Sequence, residues 1–211
     1  LDSVEDEIRR RGWSAKEGRF TLSADGTNLA AAWDVKLPGV QAPDGTEFAL
    51  GVLTANDRSR KLRVVCGANV RICMNGMATG QVLLSERHTT GLDLSRELSR
   101  ALDVYTLSAR ELGGEIAALR QVGVNLPTAG SLLAAAGRAH LMPWSRLGQV
   151  DACFRQPPGN YGDDWGKGTA WTLYNAFTHV AKQNPPLMQM QQIQGFWGMV
   201  NEYATGGVLA V

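Results

Sequence analysis

Three cysteines in 211 residues are too few, and odd in number, to staple this chain. Cys66, Cys73 and Cys153 cannot all pair, and each sits in an apolar pattern, as buried thiols of a reducing compartment do. The expected location is the cytoplasm. No run approaches the ~18 apolar residues of a membrane span, and the acidic start at 1–7 lacks the charged-then-apolar order of a secretory signal. No membrane partner is expected. Neither sign of charge is in excess. The 21 Lys and Arg against 20 Asp and Glu leave +1, so bulk composition announces no polyanionic ligand. A surface for one has to come from local segregation of charge. The chain starts on Leu1 instead of Met and stops on Val208-Leu209-Ala210-Val211, so a longer parent protein is expected.

Catalytic signatures are equally scarce. Gly162-Asp163-Asp164-Trp165-Gly166-Lys167-Gly168-Thr169 has glycines and a lysine before a helix start. Gly168 nevertheless separates Lys167 from Thr169, which breaks the Gly-Lys-Ser/Thr order of a phosphate loop, and two upstream carboxylates would repel a triphosphate. The segment reads as a glycine-rich entry to a helix capped by Thr169, with Lys167 and the exposed amides suited at most to a backbone phosphate. His88, His140 and His179 are too far apart for a local metal pattern, and no cysteine pair has zinc spacing. The elements of a zinc deaminase and of a serine-nucleophile elbow are both missing. No cofactor, metal or enzymatic activity is expected. The remaining enzymatic reading is a site around Asp163, Asp164, Lys167 and His179, with Asn175 and His179 sharing a helix face at i, i+4.

What the chain does have is period. Hydrophobic residues at 44% and charged residues at 19% are ordinary for a globular core. Alternation predicts strands at 18–23 and 28–37, joined by Asp25-Gly26, with Leu29, Ala31, Trp33, Val35 and Leu37 on one face. It predicts further strands at 47–54, with Phe48, Leu50 and Val52 inward, and at 61–66, with Leu62, Val64 and Cys66 inward. Past Gly67 come a strand at 70–74 before the turn Asn75-Gly76 and a sixth at 81–87. A short helix over Ser3–Arg11 has its charges matched to its dipole. From Asp93 the period lengthens: Leu94, Leu98, Ala101, Leu102, Tyr105, Leu112, Ile116 and Leu119 share a stripe. Gly113-Gly114 should kink or split that helix, at about 2 kcal/mol of lost propensity. Further helices are expected at 128–140, capped by Thr128, and at 143–154, 169–182 and 187–203. The fold class is α+β: one domain over 1–211, an antiparallel sheet of five or six strands in 1–90, then helices in 91–211 covering one face, with a loop at 156–168. The other sheet face would be open.

The stretch 50–90 carries the turn Asn56-Asp57-Arg58-Ser59, the strand Leu62-Arg63-Val64-Val65-Cys66, the turn Cys73-Met74-Asn75-Gly76 and Arg87-His88-Thr89. With Gly168-Thr169-Ala170-Trp171-Thr172-Leu173-Tyr174-Asn175-Ala176-Phe177-Thr178, it resembles the phage/plasmid-like proteins grouped as domain of unknown function 932. The resemblance runs from Leu50 to about Lys182, on turn and core residues alone. It implies an origin on phages, plasmids or integrated elements, and the family's name assigns no activity.

Strand alternation gathers Lys61, Arg63 and Arg71 on one sheet face beside Arg58 and Arg60 of the turn, and such a face could follow a sugar–phosphate backbone. An ordinary solvated sheet face accounts for the same residues. Arg9–Arg11 extend the patch if the first helix lies beside it. Trp13, Trp144, Trp165, Trp171 and Trp197 flank loops and helix starts, where rings stack on unpaired bases or simply pack. The expectation from these features is a DNA-binding protein of a mobile element. Its partner would be single-stranded DNA, and its role would lie in replication, recombination or strand annealing. Its nucleic-acid contacts would be Arg58, Arg60, Lys61, Arg63, Arg71 and Lys167. Gln189, Gln191, Gln192 and Gln194 on the last helix suggest a homo-oligomer contact. The alternative is an assembly module that binds no nucleic acid.

Overall fold

The structure, a computed structural model, describes residues 2–16, 18–23, 25–43, 46–55, 57, 61–70, 82–87, 93–158, 168–184 and 186–206. Helix α1 (Asp2–Arg10) opens on Asp2 and Glu5 and closes on Arg9 and Arg10, so its charges oppose the ends of its dipole, and it buries Val4 and Ile8 one turn apart. Six strands follow: β1 (Ser14–Ala15), β2 (Arg19–Leu22), β3 (Asn28–Lys36), β4 (Thr46–Ala55), β5 (Leu62–Val70) and β6 (Val82–Glu86). The helices α2 (Leu94–Gln121), α3 (Leu126–Arg138), α4 (Trp144–Arg155), α5 (Ala170–Ala181) and α6 (Pro186–Ala204) complete an α+β chain, strands first and helices after. Two compact units divide it, one drawn from Leu1–Asn69 and Gly76–Gly113, the other from Val70–Asn75 and Gly114–Val211.

In the first unit the sheet order is β1, β3, β4, β5, β6, with β2 also on β3. β1 and β2 pair the same side of β3 one after the other, Ala15 opposite Val35 and Phe20 opposite Ala31. They form one interrupted edge strand, and Lys16 N–H still donates to Asp34 O at 2.9 Å between them. The β2–β3 hairpin turns at Gly26 (φ 69°), where the Asp25 carboxylate accepts from Thr27 N at 3.1 Å and from the Ser23 hydroxyl. Those bonds, that from Ser23 first, hold Asp25 down at about 2.

The β3–β4 register sets Trp33 opposite Leu50, Val35 opposite Phe48 and Ala31 opposite Val52. That is the inward face expected from alternation. The second face of β4 is not the open one expected, because Ala49, Leu53 and Ala55 are buried as well. Small residues at 30, 32, 49 and 51 keep this face low, which makes it suited to close packing and not to solvent. Nor does Gly67 end a strand: β5 runs through it to Val70. β6 pairs β5 with a register shift between Val64 and Val65 that leaves Leu83 between the pairs Val64–Leu84 and Val65–Val82. A strand at 71–74 and the Asn75-Gly76 turn lie outside the described residues. Further along, Leu98, Ala101, Leu102, Tyr105, Ala109 and Leu112 of α2 are buried. Tyr105 is fully enclosed beside Cys66, and its phenol is pushed well above its usual range by burial first, then by Cys66 and Asp34.

Gly113-Gly114 does not split α2. Leu112, Ile116 and Leu119 on either side are buried, and that burial offsets the propensity the two glycines cost. In the second unit α3 starts earlier than expected and is capped by Asn125, not Thr128: Asn125 Oδ1 accepts from Thr128 N at 2.9 Å. Every residue of α5 except His179 is buried, which explains its lack of a polar stripe. Its entry is fixed by a reciprocal cap, Thr169 Oγ1 accepting from Thr172 N at 3.1 Å and Thr172 Oγ1 from Thr169 N at 3.3 Å. Gly168 (φ 65°) lets its own C=O accept from Val124 N at 2.8 Å, stitching this entry to the end of α2. Phe177 and Phe196 stack at 4.0 Å between α5 and α6.

Candidate functional site

After α1, Gly12 (φ 67°) turns the chain: its N–H bonds Arg9 O at 3.0 Å and Trp13 N–H bonds Ile8 O at 3.1 Å. Trp13 is thereby driven inward against Tyr105, ring centroids 5.2 Å apart, and the edge strand starts beside the helix it has just left. Between helix and edge lies a cleft of about 560 Å³. Glu5, Ile8 and Arg9 form its helical wall, Ser14 to Lys16, Gly18 and Phe20 its strand wall, and Trp33 borders it from β3.

Trp33 is buried, and its indole Nε1–H donates to Glu5 Oε1 at 3.2 Å. Phe20 stands edge-on to it, 5.7 Å between centroids and 84° between planes, with 49% of the phenylalanine exposed. Gly18 makes this possible: a Cβ there would lie 2.5 Å from Trp33 Nε1 and 2.7 Å from Phe20 Cζ. Leu22, two residues on and 59% exposed, continues the apolar edge.

Two cations, Arg9 and Lys16, line the cleft, while Arg19, next to Phe20 on β2, lies on the other face of the sheet with Asp34. Arg9 Nη1 meets Asp6 at 2.9 Å, Lys16 Nζ meets Glu47 at 2.7 Å and Arg19 Nη2 meets Asp34 at 2.9 Å. All three cations are well exposed. The Arg9–Asp6 pair is exposed on both sides and contributes ~0–1 kcal/mol, so an incoming anion can replace that carboxylate at little cost, whereas Glu47 and Asp34 are mostly covered. Arg10 and Arg11 are used otherwise: both bond Glu7, and Arg11 also reaches Ser99 O at 2.7 Å and Asp103 at 2.8 Å, fastening α1 to α2.

Of the residues singled out by sequence, Lys61 is exposed and Arg63 half-buried on β5. Arg58, Arg60, Arg71 and Lys167, with Asp163 and Asp164, lie outside the described residues. Lys61 and Arg63 do not join Arg9, because β3 and β4 stand between β5 and the edge strand. The structure brings Arg9 instead to Lys16, Phe20 and Trp33, a grouping not read from sequence. The signal that could have found it was Gly18 immediately before an exposed Arg19-Phe20. Asn175 is buried and spends its amide N–H on Trp171 O at 2.8 Å. His179 is half-buried, and its imidazole is pushed below its usual range by burial first and the Lys182 charge second. Gln189 and Gln192 of α6 are buried too, and Gln192 Oε1 accepts from Asn184 at 2.7 Å, so these two do not belong to an outward face. Among the described residues no three His, Cys, Asp or Glu side chains gather as a metal site, and no helix is long and apolar enough to cross a membrane.

A family model described as "Domain of unknown function (DUF932)" matches residues 16–195. The chain belongs to that family. The match takes in Lys16, Gly18, Phe20 and Trp33 and starts after Glu5, Arg9, Ser14 and Ala15, so the strand side of the cleft from Lys16 onward is DUF932 sequence and the helix side precedes it. No curated protein and no solved structure matches the chain.

Proposed function

We propose that this DUF932 chain binds single-stranded DNA at the cleft between α1 and the β1–β2 edge, in the service of replication, recombination or strand annealing on a mobile element. The observation that carries the reading is Phe20: a half-exposed ring, backed by a buried Trp33, in a cleft that the exposed Arg9 and Lys16 also line. A ring so placed offers a face on which any unpaired base can stack, and surrounding Lys and Arg follow the backbone. The volume is within the ~300–1,000 Å³ of clefts that hold small organic groups. Duplex DNA keeps its base faces stacked inside and cannot use the ring, which supports the preference for single strands.

The test is fluorescence anisotropy with labelled single-stranded and duplex oligonucleotides over a salt series, with Phe20→Ala and Arg9→Ala/Lys16→Ala variants. The expected result is a preference for single strands, lost about tenfold or more in Phe20→Ala, and a salt slope that falls in the double variant. A folded protein that binds neither oligonucleotide at low salt overturns the reading and leaves the assembly module.

A further inference from the structure

Among the described residues one acid lines the cleft, Glu5, and its position is set by the 3.2 Å bond from Trp33 Nε1 to Glu5 Oε1. A carboxylate is an acceptor at both oxygens, with about four lone-pair sites, so one indole N–H leaves most of that capacity unspent. Removing Glu5 is not demanded by the cations nearby: Arg9 is satisfied by Asp6 and Lys16 by Glu47. Among the described residues Glu5 therefore acts in the cleft as an acceptor with no ion-pair duty there.

Resting on the nucleic-acid reading above, we infer that the cleft selects guanine among unpaired bases, with Phe20 stacking on the ring and Glu5 accepting from its Watson–Crick edge. The choice follows from donor patterns. Thymine presents one ring N–H between two carbonyls, which a carboxylate repels. Adenine and cytosine each present a single amino group beside an acceptor nitrogen. Guanine alone presents two adjacent donors, N1–H and the 2-amino group, in the parallel arrangement that a carboxylate accepts in bidentate fashion. Stacking by itself is tolerant of every base, so discrimination has to come from such an edge contact. Arg9 and Lys16 line the same cleft, so the negative charge of Glu5 is offset there and does not exclude the strand.

The test uses fluorescein-labelled oligothymidylates carrying one central guanine, hypoxanthine, cytosine, adenine or thymine, titrated with the full chain and with Glu5→Gln and Glu5→Asp. The expected result is about tenfold tighter binding with guanine than with thymine, and an intermediate value for hypoxanthine, which keeps N1–H and lacks the 2-amino group. The guanine preference should vanish in Glu5→Gln, while Glu5→Asp, which keeps the charge, retains part of it. Measurable binding with equal affinity for all five overturns the guanine inference and leaves single-strand binding standing. Binding of none overturns both. A Glu5→Gln variant that is folded by circular dichroism and keeps the guanine preference also overturns it.

Discussion

Arg11 Nη2 reaches Asp103 Oδ1 at 2.8 Å while Arg11 Nε holds Glu7 Oε1 at 2.8 Å, so one guanidinium couples the first helix to the long one. The geometry bears on acid stability. The Arg10 hydrogen bond is the largest influence on the Glu7 carboxyl, burial opposes it as the second, and with Arg11 and Ser99 adding to Arg10 the carboxyl is held down from 4.5 to about 2. Between those values the unfolded chain binds a proton that the folded chain refuses. The stabilisation is therefore complete above about 4.5 and lost as pH falls toward about 2. Glu7→Gln should cost about 1 kcal/mol at pH 7, the exposure of Arg10 keeping it modest. Urea unfolding at pH 7 and pH 3 should then show a smaller gap between wild type and variant at the lower pH; a gap that stays constant would assign Glu7 no linked proton.

Gly18 should tolerate no side chain. The Cβ of Gly18→Ala would meet Phe20 Cζ at 2.7 Å and Trp33 Nε1 at 2.5 Å. The phenylalanine tip is exposed and can swing away; the tryptophan is buried and bonded to Glu5, and cannot. Overpacking of this kind costs ~1–3 kcal/mol. The variant should unfold at lower denaturant and lose affinity for oligonucleotides together with Phe20→Ala. Unchanged stability would mean that the edge strand shifts freely around Trp33.

Where the sequence was legible, a strong period met a real interior. The stripe Leu98–Leu119 in α2 and the alternation Ala31-Trp33-Val35 against Phe48-Leu50-Val52 are both found as read, because in each the pattern spans several turns or residues and burial enforces it. Misreadings came where a local rule lost to tertiary context. Gly67 and Gly113-Gly114 read as interruptions by local rule, yet β5 runs through the first to Val70, and buried Leu112 and Ile116 carry α2 through the second pair. The second face of β4 was assigned to solvent since alternation does not distinguish alanine and glycine under a close neighbour from the same residues in water. The cleft was invisible for a different reason: it joins Glu5 and Arg9 to Phe20 and Trp33 through the tandem pairing of β1 and β2 on β3, and no spacing in the chain reports that pairing.

The start of α3 gives a direct contest between two caps. Thr128 has the right chemistry for a cap but sits inside the helix, where its N–H is the one donated to Asn125 Oδ1 at 2.9 Å. Asn125, in extended conformation before Leu126-Pro127, holds the capping position. Asn125→Ala should therefore cost about 1 kcal/mol, and Thr128→Ala close to nothing, since alanine is the better helix former. Chemical denaturation of the two variants decides it, and the reverse order of midpoints would restore Thr128 as the cap.

His179 supplies the last expectation, on the acid side of neutrality. It is the one residue of α5 that is not fully buried, yet burial still disfavours its imidazolium, and the Lys182 charge one turn on adds repulsion. Its folded-state value therefore lies below the ordinary 6.5. As pH falls through that range the unfolded chain takes up a proton before the folded chain does, so stability is full above about 6.5 and declines below it, by at most about 1.4 kcal/mol per pH unit for one proton. Unfolding free energies at pH 7.5 and 5.5 should differ in the wild type and differ less in His179→Gln. Lys182→Met should keep most of the effect, because desolvation is the larger cause and survives removal of the ammonium. If Lys182→Met instead abolished the pH dependence while His179→Gln left it intact, the titrating group would lie elsewhere than the imidazole.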